Sequence, residues 1–197
     1  ASDVYKRQVI HNPLPTSATI KAKSKVTGLV DKGADKGALI LTERTLKDAE
    51  SGLDLATLTS TTFARGNGGY DGPSDEAPRP HKVPEREPDF AVDLTTLDMA
   101  ALIYRLSGDY NPLHASPSVA RAAGFPKPIL HGLCSLGVAG HAILKGCCDY
   151  DAKRLKSLQL RFSSPVYPGE TVRTEIWRDG ANISFKSKIL ERDVVVL

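Results

Sequence analysis

One short segment of the 197-residue chain holds the residue types that acid–base catalysis requires. Residues Gly108–His114 read G-D-Y-N-P-L-H, so a carboxylate and an imidazole lie five residues apart in a loop that contains a proline. An aspartate and a histidine that converge on one water can remove a proton from it and return a proton to a substrate. The same two residues also occur in ordinary loops, as a turn cap and a surface histidine. The loop alone leaves both interpretations open.

The second half of the chain predicts the elements that position this loop. A helix with apolar residues at 97, 100, 101 and 104 precedes it, capped by Thr95 or Thr96 and ended by Gly108. A short helix follows over 116–124, with a serine cap and a first-turn proline. A buried helix is predicted from about Gly132 to Lys145, and its small residues allow close packing against a sheet. Three strands, with turns at 167–169 and 178–180, close the chain as an antiparallel meander.

The first half predicts strands and no long helix. Alternating or β-branched runs indicate strands over 20–30, 38–45 and 53–63, with a turn at Asp31-Lys32-Gly33. Residues 66–88 are rich in glycine, proline and charged residues, which is typical of a linker or an extended surface crossing. The whole chain therefore predicts an α+β protein.

Composition excludes several classes of protein. The chain is 41% hydrophobic and 25% charged, the balance of a globular protein, and no apolar run approaches the ~20 residues of a membrane helix. A net charge of +3 without a basic run interleaved with aromatics gives no indication of nucleic-acid binding. Cys134, Cys147 and Cys148 are odd in number and partly adjacent, which is unlike a disulfide framework and favours a reducing compartment.

Both ends of the chain are interpreted as unnatural. Residues 1–8, A-S-D-V-Y-K-R-Q, back-translate to a common transposase end sequence, so we interpret them as a translated sequencing adapter and leave them out of the fold prediction. Residues 194–197 form an apolar run without a terminating turn. We therefore expect a fragment that is truncated at both ends.

Three motifs in the second half resemble one known family. Tyr104–His114 (Y-R-L-S-G-D-Y-N-P-L-H), Ala120–Phe125 (A-R-A-A-G-F) and Pro128–Leu133 (P-I-L-H-G-L) are similar to the hydratase 2 family, the R-specific enoyl-CoA hydratases of the MaoC-like group. The resemblance extends over Leu14–Leu197. It implies a double hot-dog fold, an antiparallel sheet wrapped round a central helix in each unit, with the first unit incomplete here.

The resemblance also implies roles for individual residues. Asp109 and His114 match the catalytic pair that adds water to a trans-2-enoyl-CoA, giving a (3R)-3-hydroxyacyl-CoA. Gly132 matches the residue whose backbone N–H stabilises negative charge on the thioester oxygen, at the N-terminus of the buried helix. Three further substrate-contacting candidates also have structural interpretations, Asn111 as a turn-stabilising residue, Lys32 as a solvated one and Phe162 as a core one. Tyr110, in the same loop as Asn111, is a fourth candidate.

No cofactor or metal is expected beyond the CoA of the substrate. His131, Cys134 and His141 do not follow a zinc-binding spacing and lack a fourth ligand, so both histidines are interpreted as structural. The cysteines are interpreted as small buried residues because none has a clear activating partner.

The predicted organisation is a partial acyl-binding hot-dog unit over 9–65, the linker over 66–88 and a catalytic unit over 89–197. Compared with the complete first unit that the resemblance implies, residues 9–65 lack the opening strand and the helix that the sheet wraps. We therefore expect exposed apolar strand faces and poor solubility. The resemblance implies two kinds of partner: an acyl-CoA thioester as substrate, and either a second copy of the chain or the rest of a multifunctional β-oxidation enzyme. The expected location is the cytoplasm or, in a eukaryote, the peroxisome. The alternatives are a catalytically inert acyl-CoA-binding module and an acyl thioester dehydratase or thioesterase.

Overall fold

The chain divides into two compact units that interleave along the sequence. The computed structural model describes residues 2–74 and 81–197. Unit 1 comprises Ala1–His81 and Asp151–Arg161, and unit 2 comprises Lys82–Tyr150 and Phe162–Leu197. This division differs from the predicted one, which has a first unit over 9–65, a linker over 66–88 and a second unit over 89–197. The difference arises because the strand over 157–161 joins the sheet of unit 1.

Unit 1 is a five-stranded antiparallel sheet in the order β2-β3-β4-β1-β6. The three strands predicted in the first half of the chain are confirmed as β2, β3 and β4, with small changes of boundary. A 3-10 turn, Ala152–Arg154, precedes the last strand, and the described residues of this unit contain no α-helix. Several large apolar side chains on and beside β2 are more than two-fifths exposed, as expected for a sheet without a covering helix. The strands are β1 (Ser2–Ile10), β2 (Ile20–Asp31), β3 (Ala38–Asp48), β4 (Asp54–Ala64) and β6 (Ser157–Arg161).

Leaving residues 1–8 out of the fold was wrong. Strand β1 includes seven of them and pairs antiparallel with β4 on one side and with β6 on the other. Strand pairing uses backbone N–H and C=O groups, which every such residue carries whatever its origin. The guanidinium of Arg161 also lies 5.8 Å from the centroid of the Tyr5 ring. The adapter origin of the octapeptide stays a prediction.

The glycine-rich start of the predicted linker is tied to the turn after β2. The carboxylate of Asp31, which is buried, accepts hydrogen bonds from the backbone N–H groups of Gly69, Gly33 and Asp71. These N–H groups, Gly69 first, hold the pKa of Asp31 below its ordinary value. A Cβ on Gly68 would lie 2.2 Å from the Gly33 carbonyl oxygen, so glycine is required at this close approach. Residues 75–80 of the linker prediction lie outside the described residues.

Unit 2 combines a four-stranded antiparallel sheet, ordered β5-β7-β8-β9, with three helices. The short helix after Ser116 and the buried helix from Gly132 are confirmed. The predicted closing meander is only partly right, since the first of its three strands belongs to unit 1 and a strand not foreseen opens unit 2. The elements are β5 (Phe90–Thr95), α1 (Ala100–Arg105), α2 (Pro117–Ala122), α3 (Gly132–Cys147), β7 (Thr171–Asp179), β8 (Asn182–Ile189) and β9 (Val194–Val195), with a 3-10 turn at Pro112–His114.

The predicted cap of the first helix was also wrong. Helix α1 begins at Ala100, and its N-cap, Met99, makes no side-chain capping bond. The hydroxyl of Thr96 instead donates to the carbonyl of Glu170 and accepts from the N–H of Gly169. Thr96 therefore fastens the end of β5 to the turn before β7.

Helix α3 packs its small residues against the sheet of unit 2. Ala142 lies in a buried cluster with Val92 of β5 and Ile176 of β7. Gly146 also approaches the sheet, since a Cβ on it would lie 2.6 Å from the Phe90 ring. Gly137 is exposed and has open space around it, so it does not serve this packing. No helix within the described residues is both long and apolar enough to span a membrane.

Candidate functional site

The G-D-Y-N-P-L-H loop is held in shape by its neighbours in unit 2. The guanidinium of Arg105, in the last turn of α1, donates to the carbonyls of Tyr110 and Asn111. Asn111 caps the 3-10 turn by accepting from the N–H of Leu113, and its own N–H donates to Oδ1 of Asp109. The loop thus fixes the backbone on both sides of the exposed Asp109 side chain.

His114 is a buried imidazole with a defined tautomer. Its Nδ1 lies 2.8 Å from the carbonyl oxygen of Ile129. A carbonyl oxygen only accepts hydrogen bonds, so Nδ1 carries the proton and Nε2 of the neutral ring is left with its lone pair. The residue is 9% exposed. Nδ1 therefore orients the His114 ring, and Nε2 can accept a proton.

His131 lies directly against His114. The two ring centroids are 3.8 Å apart with 28° between the ring planes, and the Tyr104 ring packs on His131 at 4.7 Å. Nε2 of His131 lies 3.2 Å from the backbone carbonyl oxygen of Asp109. Burial, and secondly the neighbouring His114, lower the pKa of His131 below its ordinary value. Burial likewise raises the pKa of Tyr104.

Asp109, His114 and His131 form one cluster. One donor atom from each, a carboxylate oxygen or a ring nitrogen, lies within 4.8 Å of the other two. Such a group is close enough to share a metal ion or to hold one water between an acid and a base. The expectation that no metal is bound stays a prediction. The group differs from the set weighed in the sequence, because His141 is exposed and contacts Tyr150, while burial raises the pKa of Cys134.

Gly132 begins α3 immediately after His131. Its N–H is among the first four of the helix, which have no acceptor within it, and the helix dipole places partial positive charge there. Gly132 is exposed, and a Cβ on it would lie 3.3 Å from the half-buried Phe162 ring. The close contact leaves no spare room for a side chain beside that ring. Because Gly132 has no side chain, an oxygen carrying negative charge can approach its N–H more closely than it could at a larger residue.

A cavity of about 300 Å³ lies next to the cluster, and His114 forms part of its wall. The cavity is open to solvent and has one cation, Lys127, and one carboxylate, Asp98, in its lining. Its walls are otherwise largely apolar: Ala101, Leu102, Ala115, Pro128 and Pro168. The cavity therefore leaves part of the His114 residue facing open space.

The structure brings most of the sequence candidates together, but not all. Asp109, His114, Asn111 and Tyr110 share one loop, and Tyr110 is 64% exposed, with Arg105 5.5 Å from its ring centroid. Gly132 and Phe162 are in contact range of each other. Lys32 lies in unit 1, exposed in the turn after β2. The role of each as a substrate contact stays a prediction.

Sequence reasoning missed how His131, Tyr104 and Arg105 serve this loop. All three lie inside the quoted motifs, yet their contacts join residues up to 27 apart in the chain. The local signal was the apolar Ile129-Leu130 before His131, which is consistent with a buried histidine.

Comparison with known proteins identifies the family. The model of the MaoC like domain matches residues 80–197. The chain belongs to the MaoC-like domain family. The model of the MFE-2 hydratase 2 N-terminal domain matches residues 6–66, which adds most of unit 1.

Several MaoC-like proteins are similar over nearly the whole chain. A protein of Arabidopsis thaliana named enoyl-CoA hydratase 2, peroxisomal, is 41% identical over 197 residues, which cover 95% of this chain and 63% of that protein. The crystal structure of a MaoC-like dehydratase from Phytophthora capsici is 42% identical with a TM-score of 0.91, covering 98% of this chain and 68% of that one. Full-length peroxisomal multifunctional enzyme type 2 from Drosophila melanogaster is 40% identical with a TM-score of 0.89, covering 98% and 35%.

The fold prediction is confirmed as a hot-dog fold. A Mycobacterium tuberculosis protein described as a double hot-dog is 13% identical with a TM-score of 0.60, over 95% of this chain and 68% of that one, a likeness that shows the fold alone. This chain spans 63% of the length of its Arabidopsis relative, so the activity of a whole protein does not follow from the match itself.

Proposed function

We propose that this MaoC-like chain adds water to the double bond of a trans-2-enoyl-CoA and yields a (3R)-3-hydroxyacyl-CoA. The observation that carries the proposal is the pairing of Asp109 with an oriented His114 beside the N-terminus of α3. The Arabidopsis relative's name, enoyl-CoA hydratase 2, supports the same reaction. Within unit 2 the proposed site also includes Gly132, with Asn111, Tyr110 and Phe162 as substrate contacts. Lys32, in unit 1, is proposed separately as a contact to the CoA part of the substrate.

The proposed step needs one base, one acid and one acceptor of negative charge. Water lies between the carboxylate of Asp109 and Nε2 of His114, and one of these groups takes its proton as the oxygen bonds to the β-carbon. The electron pair of the double bond moves towards the thioester carbonyl, so negative charge develops on its oxygen. The N–H of Gly132 stabilises that oxygen until the Asp109–His114 pair returns the proton taken from the water to the α-carbon, which leaves both groups in their starting protonation states. No redox group takes part in this balance, which is why we propose no cofactor.

The same residues would also catalyse the reverse reaction, the dehydration of a 3-hydroxyacyl thioester. Removal of water from a 3-hydroxyacyl thioester passes through the same transition state, and the Phytophthora structure carries the name dehydratase. Thioester cleavage would instead need attack at the carbonyl carbon and would release a free thiol. An inert module would bind an acyl-CoA without changing it.

The proposal is tested by the ultraviolet absorbance of a short trans-2-enoyl-CoA incubated with the purified chain. We expect the enoyl band to decay, and Asp109→Asn and His114→Gln to lower kcat by at least about 100-fold, since each removes a group that transfers a proton. Asp35→Asn and His141→Gln change the same residue types at exposed positions and should keep the parental rate. Release of free CoA thiol, or binding of a saturated acyl-CoA without any turnover of the enoyl-CoA, would contradict the proposal.

We also propose that the chain acts as a homodimer or as one region of a multifunctional enzyme. The Drosophila relative is named a multifunctional enzyme, and two of the relatives are named peroxisomal. These names support a peroxisomal location in a eukaryote, and the alternative that we propose, a cytoplasmic location, has no support from them. Light scattering of the purified chain tests the dimer.

A further inference from the structure

His131 is a buried polar group that the proposed reaction does not use. It is 1% exposed, and its Nδ1 is fully buried with no hydrogen-bond partner within the described part of the chain. Its Nε2 meets the carbonyl oxygen of Asp109, and its ring stacks on His114. One imidazole therefore contacts both members of the proposed catalytic pair, through two different kinds of contact.

Hydrogen bonding defines the tautomer of this ring. The carbonyl oxygen of Asp109 only accepts, so a proton on Nε2 of His131 makes a hydrogen bond and a lone pair there would face another lone pair. A proton on Nδ1 would be a buried donor without an acceptor, which is costly. The neutral ring with its proton on Nε2 leaves only a bare nitrogen lone pair unpartnered.

The ring also limits the position of His114. Stacked rings at 3.8 Å leave no space for the imidazole of His114 to tilt towards His131, and the Tyr104 ring packs against His131 with 4.7 Å between the ring centroids. The hydrogen bond from Nδ1 of His114 to Ile129 fixes its rotation within its own plane. The two contacts together hold Nε2 of His114 in one place.

We propose that His131 is a positioning residue, which as a neutral Nε2–H imidazole holds the Asp109 backbone and supports the face of His114 so that both aim at the same water. This inference rests on the proposed hydratase function. It assigns His131 no contact with the substrate. Its effect must therefore appear in the turnover rate rather than in substrate binding, because misplacing reacting groups by about 1 Å can cost about 100-fold.

Three variants separate the two contacts. His131→Phe keeps an aromatic ring under His114 but no donor, whereas His131→Gln keeps a donor at the position of Nε2 but no ring. His131→Asn keeps neither, because its amide reaches only as far as Nδ1. We expect Phe and Gln each to lower kcat about tenfold and Asn about 100-fold, with KM within about threefold of the parent.

His141→Phe is the matched control, since His141 is an exposed histidine within α3, the helix that follows His131. It should leave kcat and KM unchanged. Parental kcat in all three His131 variants, or a raised KM at constant kcat, would overturn the proposal. So would equal loss in all three, because the loss would then not depend on whether the ring or the donor is kept.

Imidazole nitrogen NMR of the parent chain tests the tautomer without any assay of turnover. We expect His131 to give a protonated Nε2 and a bare Nδ1 at neutral pH, with the signal assigned from its loss in His131→Gln. A proton on Nδ1, or on both nitrogens, would overturn the proposal. If the parent shows this tautomer but hydrates no enoyl-CoA, the proposed function fails while the hydrogen bond to Asp109 stands.

Discussion

The backbone N–H of Gly132 can be removed with little change to the helix it begins. Proline lacks an N–H and is well accepted at the first position of a helix. The preceding residue must then adopt an extended conformation, and His131 already does, with φ −61° and ψ 139°. Gly132→Pro therefore deletes the proposed donor at a site where the chain tolerates proline.

Gly132→Ala controls for the added bulk. Alanine keeps the N–H but places a Cβ 3.3 Å from the Phe162 ring, which must shift by a few tenths of an ångström. We expect this variant to lose only a few-fold in kcat. The further loss from alanine to proline reports the hydrogen bond, and a preorganised donor to an oxyanion is worth about 100- to 1,000-fold, or about 3–4 kcal/mol.

The assay is the initial rate of enoyl-band decay, measured for kcat and KM beside the melting temperature of each variant. Affinity for a saturated acyl-CoA should be similar in the alanine and proline variants, because the charge develops only in the transition state. A folded proline variant whose kcat lies within about threefold of the alanine variant would refute the role of the Gly132 N–H.

Three further predictions concern stability. The Arg86 guanidinium and, secondly, the N–H of Arg178 hold the pKa of Asp89 at about 2, so its contribution is present above its ordinary pKa and is lost as the pH falls through about 2. Asp89→Asn should therefore melt below the parent at pH 6 and no longer do so near pH 2; a constant gap would contradict this. Gly137→Ala should raise the free energy of unfolding by about 0.5–1 kcal/mol in denaturant titration, because the exposed helical site has open space. Gly146→Ala should lower it by about 1 kcal/mol, since a clash with the Phe90 ring outweighs the helix propensity of alanine; higher stability would show that the ring moves freely.

The sequence predicts those parts of the structure that local patterns specify. The strands β2, β3 and β4 follow from alternation and turns, and α3 follows from its small residues and length. The spacing of Asp109 and His114 places them in one loop, but their proposed catalytic role came from the resemblance of the surrounding motifs to the hydratase 2 family. The role of Gly132 likewise came from the resemblance, and the predicted start of a helix at this residue agrees with it.

The remaining parts depend on contacts between distant segments. Thr96 has the side chain of a helix cap, but Glu170 and Gly169 supply its partners from more than 70 residues away. Strand β1 has no pattern of its own and is ordered by β4 and β6. The contact of His131 with His114 joins residues 17 apart through a stack of rings, which no spacing rule predicts.

The configuration of the product tests the central proposal most directly. The chain would be incubated with a short trans-2-enoyl-CoA, and the hydrated thioester separated by chiral chromatography against both 3-hydroxyacyl-CoA standards. The account predicts the (3R)-3-hydroxyacyl-CoA with its thioester intact, formed by the parent and not by Asp109→Asn. A 3S product, free CoA in place of the hydrated thioester, or equal product from the Asp109→Asn chain would contradict it.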